Sequence, residues 1–167
     1  MDKLWAPWRV KYINLLQDKV KKKCIFCEML KEKNDQKNLI VMRTRYSFCV
    51  LNIYPYNNGH LLIVPYRHVS GLTKLRKEER DDLFELLLSM KALVGKTLKP
   101  GGYNIGINLG KIAGAGFPGH LHIHLVPRWR GDVNFMPVIG NTKIISQSLT
   151  TLFKRLRACA QEKNWKN

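Results

Sequence analysis

The stretch that decides the fold runs Gly119-His120-Leu121-His122-Ile123-His124-Leu125-Val126-Pro127-Arg128. Imidazoles and apolar side chains alternate at a period of two, the period of an extended strand whose successive side chains leave opposite faces. Read as a strand over 121–126, it sends His120, His122 and His124 to one face and Leu121, Ile123 and Leu125 to the other. The apolar face can enter a core. The histidine face needs a chemical reason, because every buried imidazole must find hydrogen-bond partners. A polar strand turned to solvent is the plain alternative, yet chance rarely builds such a run of histidines between apolar neighbours. A single metal held by all three is a second alternative. Same-face neighbours on a strand lie roughly 7 Å apart, which is wide for three ligands converging on one ion.

Outward from this strand the pattern predicts a small antiparallel sheet. Residues 39–43 and 47–51 read as strands joined by a turn at 44–46. Pro55, Asn57, Asn58 and Gly59 break the chain, and 60–64 is a further apolar strand closed by Pro65. Residues 74–97 read as the longest helix: Leu83, Leu87, Met90 and Val94 recur at helical spacing, and Pro100-Gly101-Gly102 ends it. Residues 103–109 alternate as a strand, a glycine-rich loop spans 110–119, and 144–160 forms a closing amphipathic helix. Cys24 opens a knuckle and a short polar helix that ends near Lys33. Short connections favour antiparallel pairing. The class is therefore α+β, about five antiparallel strands packed with one long central helix and a C-terminal helix. A chain of 167 residues suits one domain over 1–167, with 1–23 as an N-terminal arm and 141–167 as a helical tail.

The 29 basic residues outweigh 12 acidic ones, a formal charge of +17. Such a field draws polyanions, either nucleic acid or a phosphate-rich small molecule. The excess sits in short runs such as Lys21-Lys22-Lys23 and at scattered helix positions, with no Arg-rich or aromatic-interleaved stripe. That distribution describes solvated faces and argues against a nucleic-acid partner. No apolar run approaches the roughly 18 residues of a membrane span, and residues 1–12 lack the apolar stretch of a signal peptide. A cytoplasmic protein with no membrane partner is expected.

Four cysteines stand at 24, 27, 49 and 159. A disulfide framework is not expected in such a chain, and Cys49 and Cys159 fall within apolar patterns. The Cys24–Cys27 pair reads as a metal knuckle or a redox site. No βαβ pattern surrounds it, which favours metal; a structural zinc site then needs two more nitrogen or sulfur ligands. A reduced, metal-free pair packed on the sheet is the alternative.

The run from His120 to Val126 matches in full the signature H-φ-H-φ-H-φ-φ, and the chain resembles the histidine triad (HIT) superfamily. The segment 51–55 continuing through 58–65 and His68 is similar to the family's ribose-binding turn and following strand. Residues 106–110 are similar to the strand end that leads into its phosphate loop. The resemblance implies a HIT-like fold, homodimers whose sheets join across a two-fold, and transfer of a nucleotidyl group through a covalent nucleotidyl-histidine. It implies His122 as the nucleophile and His124 on the transferred phosphate and leaving oxygen, with His120 completing the catalytic row. Asn52 would bind the ribose hydroxyls, and Asn108 would hold a phosphate or order the loop. A neutral imidazole suits such chemistry, being nucleophilic at pH 7 and a ready leaving group. Many members place Gln or Ser four residues before the first histidine, against the α-phosphate. Gly116 stands there in this chain, so that contact falls to backbone or to a group elsewhere. Several bacterial relatives and the related galactose-1-phosphate uridylyltransferases hold zinc through two cysteines, a histidine after this strand and the first motif histidine. The implied ligands are Cys24, Cys27, His68 and His120. His60 is left with a structural role, facing core or solvent.

Residues 4–13, Pro127-Arg128-Trp129 and 131–140 resemble the bacterial diadenosine tetraphosphate phosphorylase branch, which uses inorganic phosphate to give ADP and ATP. Hydrolysis of dinucleoside polyphosphates or of nucleotide phosphoramidates is the alternative within the family. Trp129 and Phe135 suit dimer packing and base stacking equally. Aprataxin-like action on DNA adenylates would fit the charge, but the zinc finger such proteins add has no counterpart after residue 140. A non-catalytic nucleotide-binding module is a third class, and the intact middle histidine speaks against it.

Overall fold

The structure, a computed structural model, describes residues 23–132 and 144–162. The expected arm, Lys23 excepted, lies outside the described residues, as do 133–143, with Phe135, and the last residues of the tail, 163–167. The elements are α1 (Ile25–Glu32), β1 (Ile40–Arg43), β2 (Ser47–Leu51), β3 (Leu61–Pro65), a 3-10 turn (Leu72–Lys74), α2 (Lys77–Leu98), β4 (Gly102–Ile107), β5 (Ile123–Arg128) and α3 (Leu149–Gln161). The five strands form one sheet in the order β1-β2-β3-β5-β4, antiparallel throughout. This is the expected α+β architecture.

Strand alternation divides the core in two. Cys49, Leu51, Leu61, Ile63, Leu121, Ile123 and Leu125 meet Leu83, Leu86, Met90 and Leu93 of α2 and Leu152 and Leu156 of α3. On the other face Ile40, Phe48, Val50, Leu62 and Val64 pack with Phe26 of α1. Because β2 and β3 are covered on both sides, every residue of each is buried, and their sequences read as continuous apolar runs.

Three boundaries differ from the sequence reading for identifiable reasons. The closing helix begins at Leu149 rather than 144, because the Ser148 hydroxyl caps it by accepting the Thr151 N–H. The long helix begins at Lys77 rather than 74 because Leu72–Lys74 closes a 3-10 turn and Leu75 is extended. The last strand begins at Ile123 rather than 121. The β3 ladder to β5 runs only from Leu61↔Leu125 to Ile63↔Ile123, and the Leu121 N–H donates instead to Val69 O at 2.6 Å. His120 and His122 thus lie on the run-in to β5, where the apolar residues between and after them still enter the larger core.

The start of α2 is tied to the sheet by ion pairing. Arg67, just past β3, donates from Nε and Nη2 to the Glu79 carboxylate at 2.9 and 2.6 Å, and the Arg76 N–H adds a bond of 2.8 Å. One turn on, Asp82 Oδ2 accepts from the hydroxyls of Thr44 and Ser47 at 2.6 and 2.5 Å, pinning the β1–β2 turn to the same helix. No helix among the described residues is long and apolar enough to cross a membrane.

The fork from Arg67 holds the Glu79 carboxyl down at about 2, against an ordinary value of 4.5. A depressed carboxylate stabilises the fold above its unfolded value and loses that stabilisation as pH falls through the folded one. Arg67 is 41% exposed, so solvent screens the pair and about 1–2 kcal/mol is expected rather than the full shift. Replacing Glu79→Gln should lower unfolding free energy by that amount at pH 7. In urea titrations the gap to the parent should close between pH 4.5 and 2; a gap independent of pH would refute the assignment.

Candidate active site and metal cluster

All three motif histidines are buried, which rejects the solvent-facing strand. His122 Nδ1 lies 2.9 Å from the carbonyl oxygen of His120. A carbonyl only accepts, so Nδ1 carries the proton and the Nε2 lone pair is left available. That Nε2 makes no hydrogen bond among the described residues. Burial lowers the His122 pKa, only partly opposed by the carbonyl, so the ring is neutral at pH 7. A neutral imidazole with a lone pair on Nε2 is a nucleophile.

The tautomer of His124 follows from its neighbours. His60, fully buried, receives the Tyr56 N–H on Nδ1 at 3.0 Å and faces the Asn52 amide nitrogen at 3.3 Å. Its Nδ1 is therefore an acceptor and its Nε2 a donor, and that Nε2 sits 2.9 Å from His124 Nδ1. The proton of His124 is consequently on Nε2, which is buried and has no partner among the described residues. An orphaned buried donor costs about 1–3 kcal/mol, which an anionic oxygen placed there would recover. The His122 and His124 rings stand 5.0 Å apart, so lone pair and bare N–H share one locality. Burial first, then the neighbouring His122, pushes the His124 pKa down to about 4. The sequence reading assigned His60 no part in the site. Its one signal was its position at the head of an apolar strand, and strand pairing places it opposite the triad.

The remaining expected residues fall around this pair. Asn52 accepts the Tyr54 N–H on Oδ1 at 2.9 Å, so its side chain links the turn to His60. Asn108 donates to Gly114 O at 3.5 Å, across the loop. Within the loop Gly110 and Gly114 have φ of +84° and +88°, the left-handed region that glycine tolerates best. Gly116 lies half-buried in the same loop and offers only backbone. A polar clamp that the sequence did not reveal holds the Asn52–His60 turn. Asp132 Oδ2 accepts from Asn57 at 2.7 Å and from Arg128 Nε at 2.7 Å, and Asn57 also reaches Pro127 O. Its members are up to 75 residues apart in the chain.

Beside the row, one ligand atom each from Cys24, Cys27, His68 and His120 lies within 4.8 Å of the others. His120 Nδ1 is 3.2 Å from Cys24 Sγ and 3.6 Å from Cys27 Sγ, and His68 Nδ1 is 3.4 Å from Cys27 Sγ. Four-coordinate bonds of about 2.3 Å to sulfur and 2.0 Å to nitrogen put ligand atoms roughly 3.3–3.8 Å apart, close to these separations. His120 Nε2 donates to Pro65 O at 2.9 Å, which turns Nδ1 toward the thiols. Gly119 leaves room for His68: a Cβ there would lie 3.2 Å from its ring. Burial, then the neighbouring Cys24, raises the Cys27 thiol, so that thiol resists ionising without a cation. The residues fit a closed, tetrahedral metal site.

An antiparallel sheet that presents a neutral imidazole lone pair next to an N–H with no partner among the described residues, with a glycine-rich loop leading into the same segment, has the chemistry of histidine-based phosphate-handling proteins. The comparisons agree: the HIT domain model matches residues 33–131, and the chain belongs to the HIT domain family. It is 39% identical over 157 residues to the AP-4-A phosphorylase of Mycobacterium tuberculosis, covering 89% of this chain and 79% of that protein. Over 93 residues, 56% of this chain and 50% of the relative, it is 34% identical to the asymmetrical bis(5'-nucleosyl)-tetraphosphatase of Schizosaccharomyces pombe. Among solved structures it resembles a Zn-bound histidine triad family protein from Mycobacterium smegmatis, with TM-score 0.66 and 25% identity over 82% of this chain and 92% of that one.

The ring of His124 should remain neutral from pH 8 to pH 5 and titrate near 4, as followed by NMR of its ring carbons. Between pH 6.5 and 4 the unfolded chain takes up a proton that the folded ring refuses, so acidification across that window should also destabilise the protein. A His124 midpoint at or above 6.5 would overturn the placement of the His60 proton on His124 Nδ1.

Proposed function

We propose that this chain splits diadenosine tetraphosphate with inorganic phosphate into ADP and ATP. The observation that carries this is the pairing of a His122 Nε2 lone pair with the unpartnered His124 Nε2–H. In the first step His122 Nε2 bonds to the α-phosphorus, the P–O bond to the distal triphosphate breaks, and ATP departs with its leaving oxygen hydrogen-bonded by His124. In the second, a phosphate oxygen attacks the same phosphorus, the N–P bond breaks, and ADP leaves with His122 restored. Backbone N–H groups of the loop around Gly116, and Asn108 through the order it gives that loop, serve the phosphates. Asn52 receives the ribose hydroxyls. The likeness to AP-4-A phosphorylase over most of both chains supports this acceptor. The second reading, hydrolysis, draws on the tetraphosphatase relative and differs only in water taking the place of phosphate.

Two properties accompany the reaction. Zinc held by Cys24, Cys27, His68 and His120 fixes α1 to the histidine segment and supplies structure rather than chemistry. The Zn-bound relative and the ligand spacing support it. A homodimer is supported by the place of β4 at the sheet edge among the described residues, and by Ile105, Phe84 and Leu88, which are exposed apolar residues on β4 and α2. Tyr103 of β4 reaches the Lys91 carbonyl, so β4 runs beside that helix face. Free thiols kept reduced as metal ligands favour a reducing compartment, which supports a cytoplasmic protein.

Chromatography of products from diadenosine tetraphosphate should show ADP and ATP only when phosphate is supplied. AMP with ATP, irrespective of phosphate, would select hydrolysis. Exchange of His122→Asn should remove turnover by several orders of magnitude while nucleotide binding persists; retained turnover would reject the nucleophile. Elemental analysis and sedimentation of one preparation should give one zinc per chain and two chains per particle. Absent zinc or a monomer would discard the corresponding property.

A further inference from the structure

Phe26 is the only residue of α1 that is fully buried, and it lies between the two cysteines in Cys24-Ile25-Phe26-Cys27. Its ring meets His120 edge-on at a centroid distance of 5.2 Å and lies tilted against His122 at 5.3 Å. Phe117 and Phe48 back it at 6.0 and 6.5 Å. His122 is otherwise held by one hydrogen bond, from Nδ1 to the His120 carbonyl. One bond fixes where Nδ1 sits but leaves the ring able to swing about the bond axis. Phe26 on one flank and His124, 5.0 Å away, on the other close off that swing.

We infer that Phe26 is a positioning residue for His122: α1 is a wedge, anchored at its N-terminal turn by the two cysteines of the metal cluster, that holds the ring with Nε2 aimed at the reacting phosphorus. The inference deepens the proposed function and rests on His122 as its nucleophile. Phe26 is the aromatic ring by which the cysteine helix meets the nucleophile's ring. A residue that merely filled the smaller core, with Ile40, Phe48, Val50, Leu62 and Val64, could be exchanged for another apolar residue of similar volume without altering the ring. A planar wall cannot be replaced so simply. Displacing a nucleophile by about 1 Å is enough for a loss on the order of 100-fold.

The variant to make is Phe26→Leu, which keeps apolar bulk, with Phe26→Ala as the deeper truncation. Three readouts are taken on zinc-loaded protein: zinc per chain, long-range nitrogen–proton NMR of the imidazoles, and kcat and KM for diadenosine tetraphosphate with phosphate. The parent should show His122 as a single Nδ1–H tautomer. In Phe26→Leu that signal should split or average with the Nε2–H form while His124 keeps its own signature. Its kcat should fall 10- to 100-fold, KM should stay within about twofold, and zinc should stay bound. An unchanged His122 signal with kcat within twofold of the parent overturns the inference. So does loss of zinc together with kcat, in either variant, since Phe26 would then act on the scaffold as a whole. The NMR readout needs no turnover, so a parent inactive on the dinucleotide would sink the proposed function and still leave Phe26 decided.

Discussion

Each of the three motif imidazoles is removed from water, and each has one nitrogen committed before any substrate arrives. His120 gives Nε2–H to Pro65 O, His122 gives Nδ1–H to the His120 carbonyl, and His124 Nδ1 takes the His60 proton. The second nitrogen of each ring is thereby forced into a different role. For His120 it is a nitrogen facing two thiols, for His122 a lone pair, for His124 an N–H with no partner among the described residues. Three identical side chains acquire three chemistries from the partner on the far side of each ring. The sheet exists, in this sense, to fix those partners.

The scaffold does so by placing the histidine run between two supports that the rest of the chain makes rigid. Strand β5 pairs with β3 on one side and β4 on the other, so His124 lies opposite Leu62 and Gly106, while the helices α2 and α3 cover the apolar face beneath. Above, α1 covers the segment that precedes β5. The turn bearing Asn52 and His60 would be free to move were it not clamped by Asn57, Asp132 and Arg128 to the end of β5. The Arg128 guanidinium keeps the Asp132 carboxyl well below the usual carboxylate range, so the clamp stays charged through neutral and mildly acid conditions.

What was legible in the sequence was what depends on local periodicity. Alternation through 120–126 revealed the histidine face and the core face, the apolar spacing of 83–94 revealed the helix, and Cys24–Cys27 read as a metal knuckle or a redox pair. The motif resemblance added His68 and His120 to that knuckle, and the structure brings all four together. The parts not legible are those created by pairing between distant segments. His60 reads as the polar first residue of an apolar strand until the β3–β5 register sets it against His124, 64 positions away. Asn57 reads as a turn former until Asp132 reaches it. Phe26 reads as a filler between two cysteines until α1 docks over the rings. The late start of β5 belongs to the same group, since only the Val69 carbonyl explains where the Leu121 N–H goes.

The surplus of positive charge fits the site once charge and nucleophilicity are considered separately. A tetraphosphate is drawn by cations, but a protonated imidazole has no lone pair to attack with. Burial resolves the conflict locally: it lowers the pKa of His120, His122 and His124 alike, so the rings carry no charge at pH 7. The attraction must then come from elsewhere, and 29 lysines and arginines against 12 acidic residues provide a long-range field. Dry, neutral rings inside and a basic exterior divide the labour between reacting with phosphate and gathering it. The same division predicts which variable each part controls. Salt screens the exterior field over about a Debye length and should weaken substrate capture. The step at His122, shielded from solvent, should respond far less.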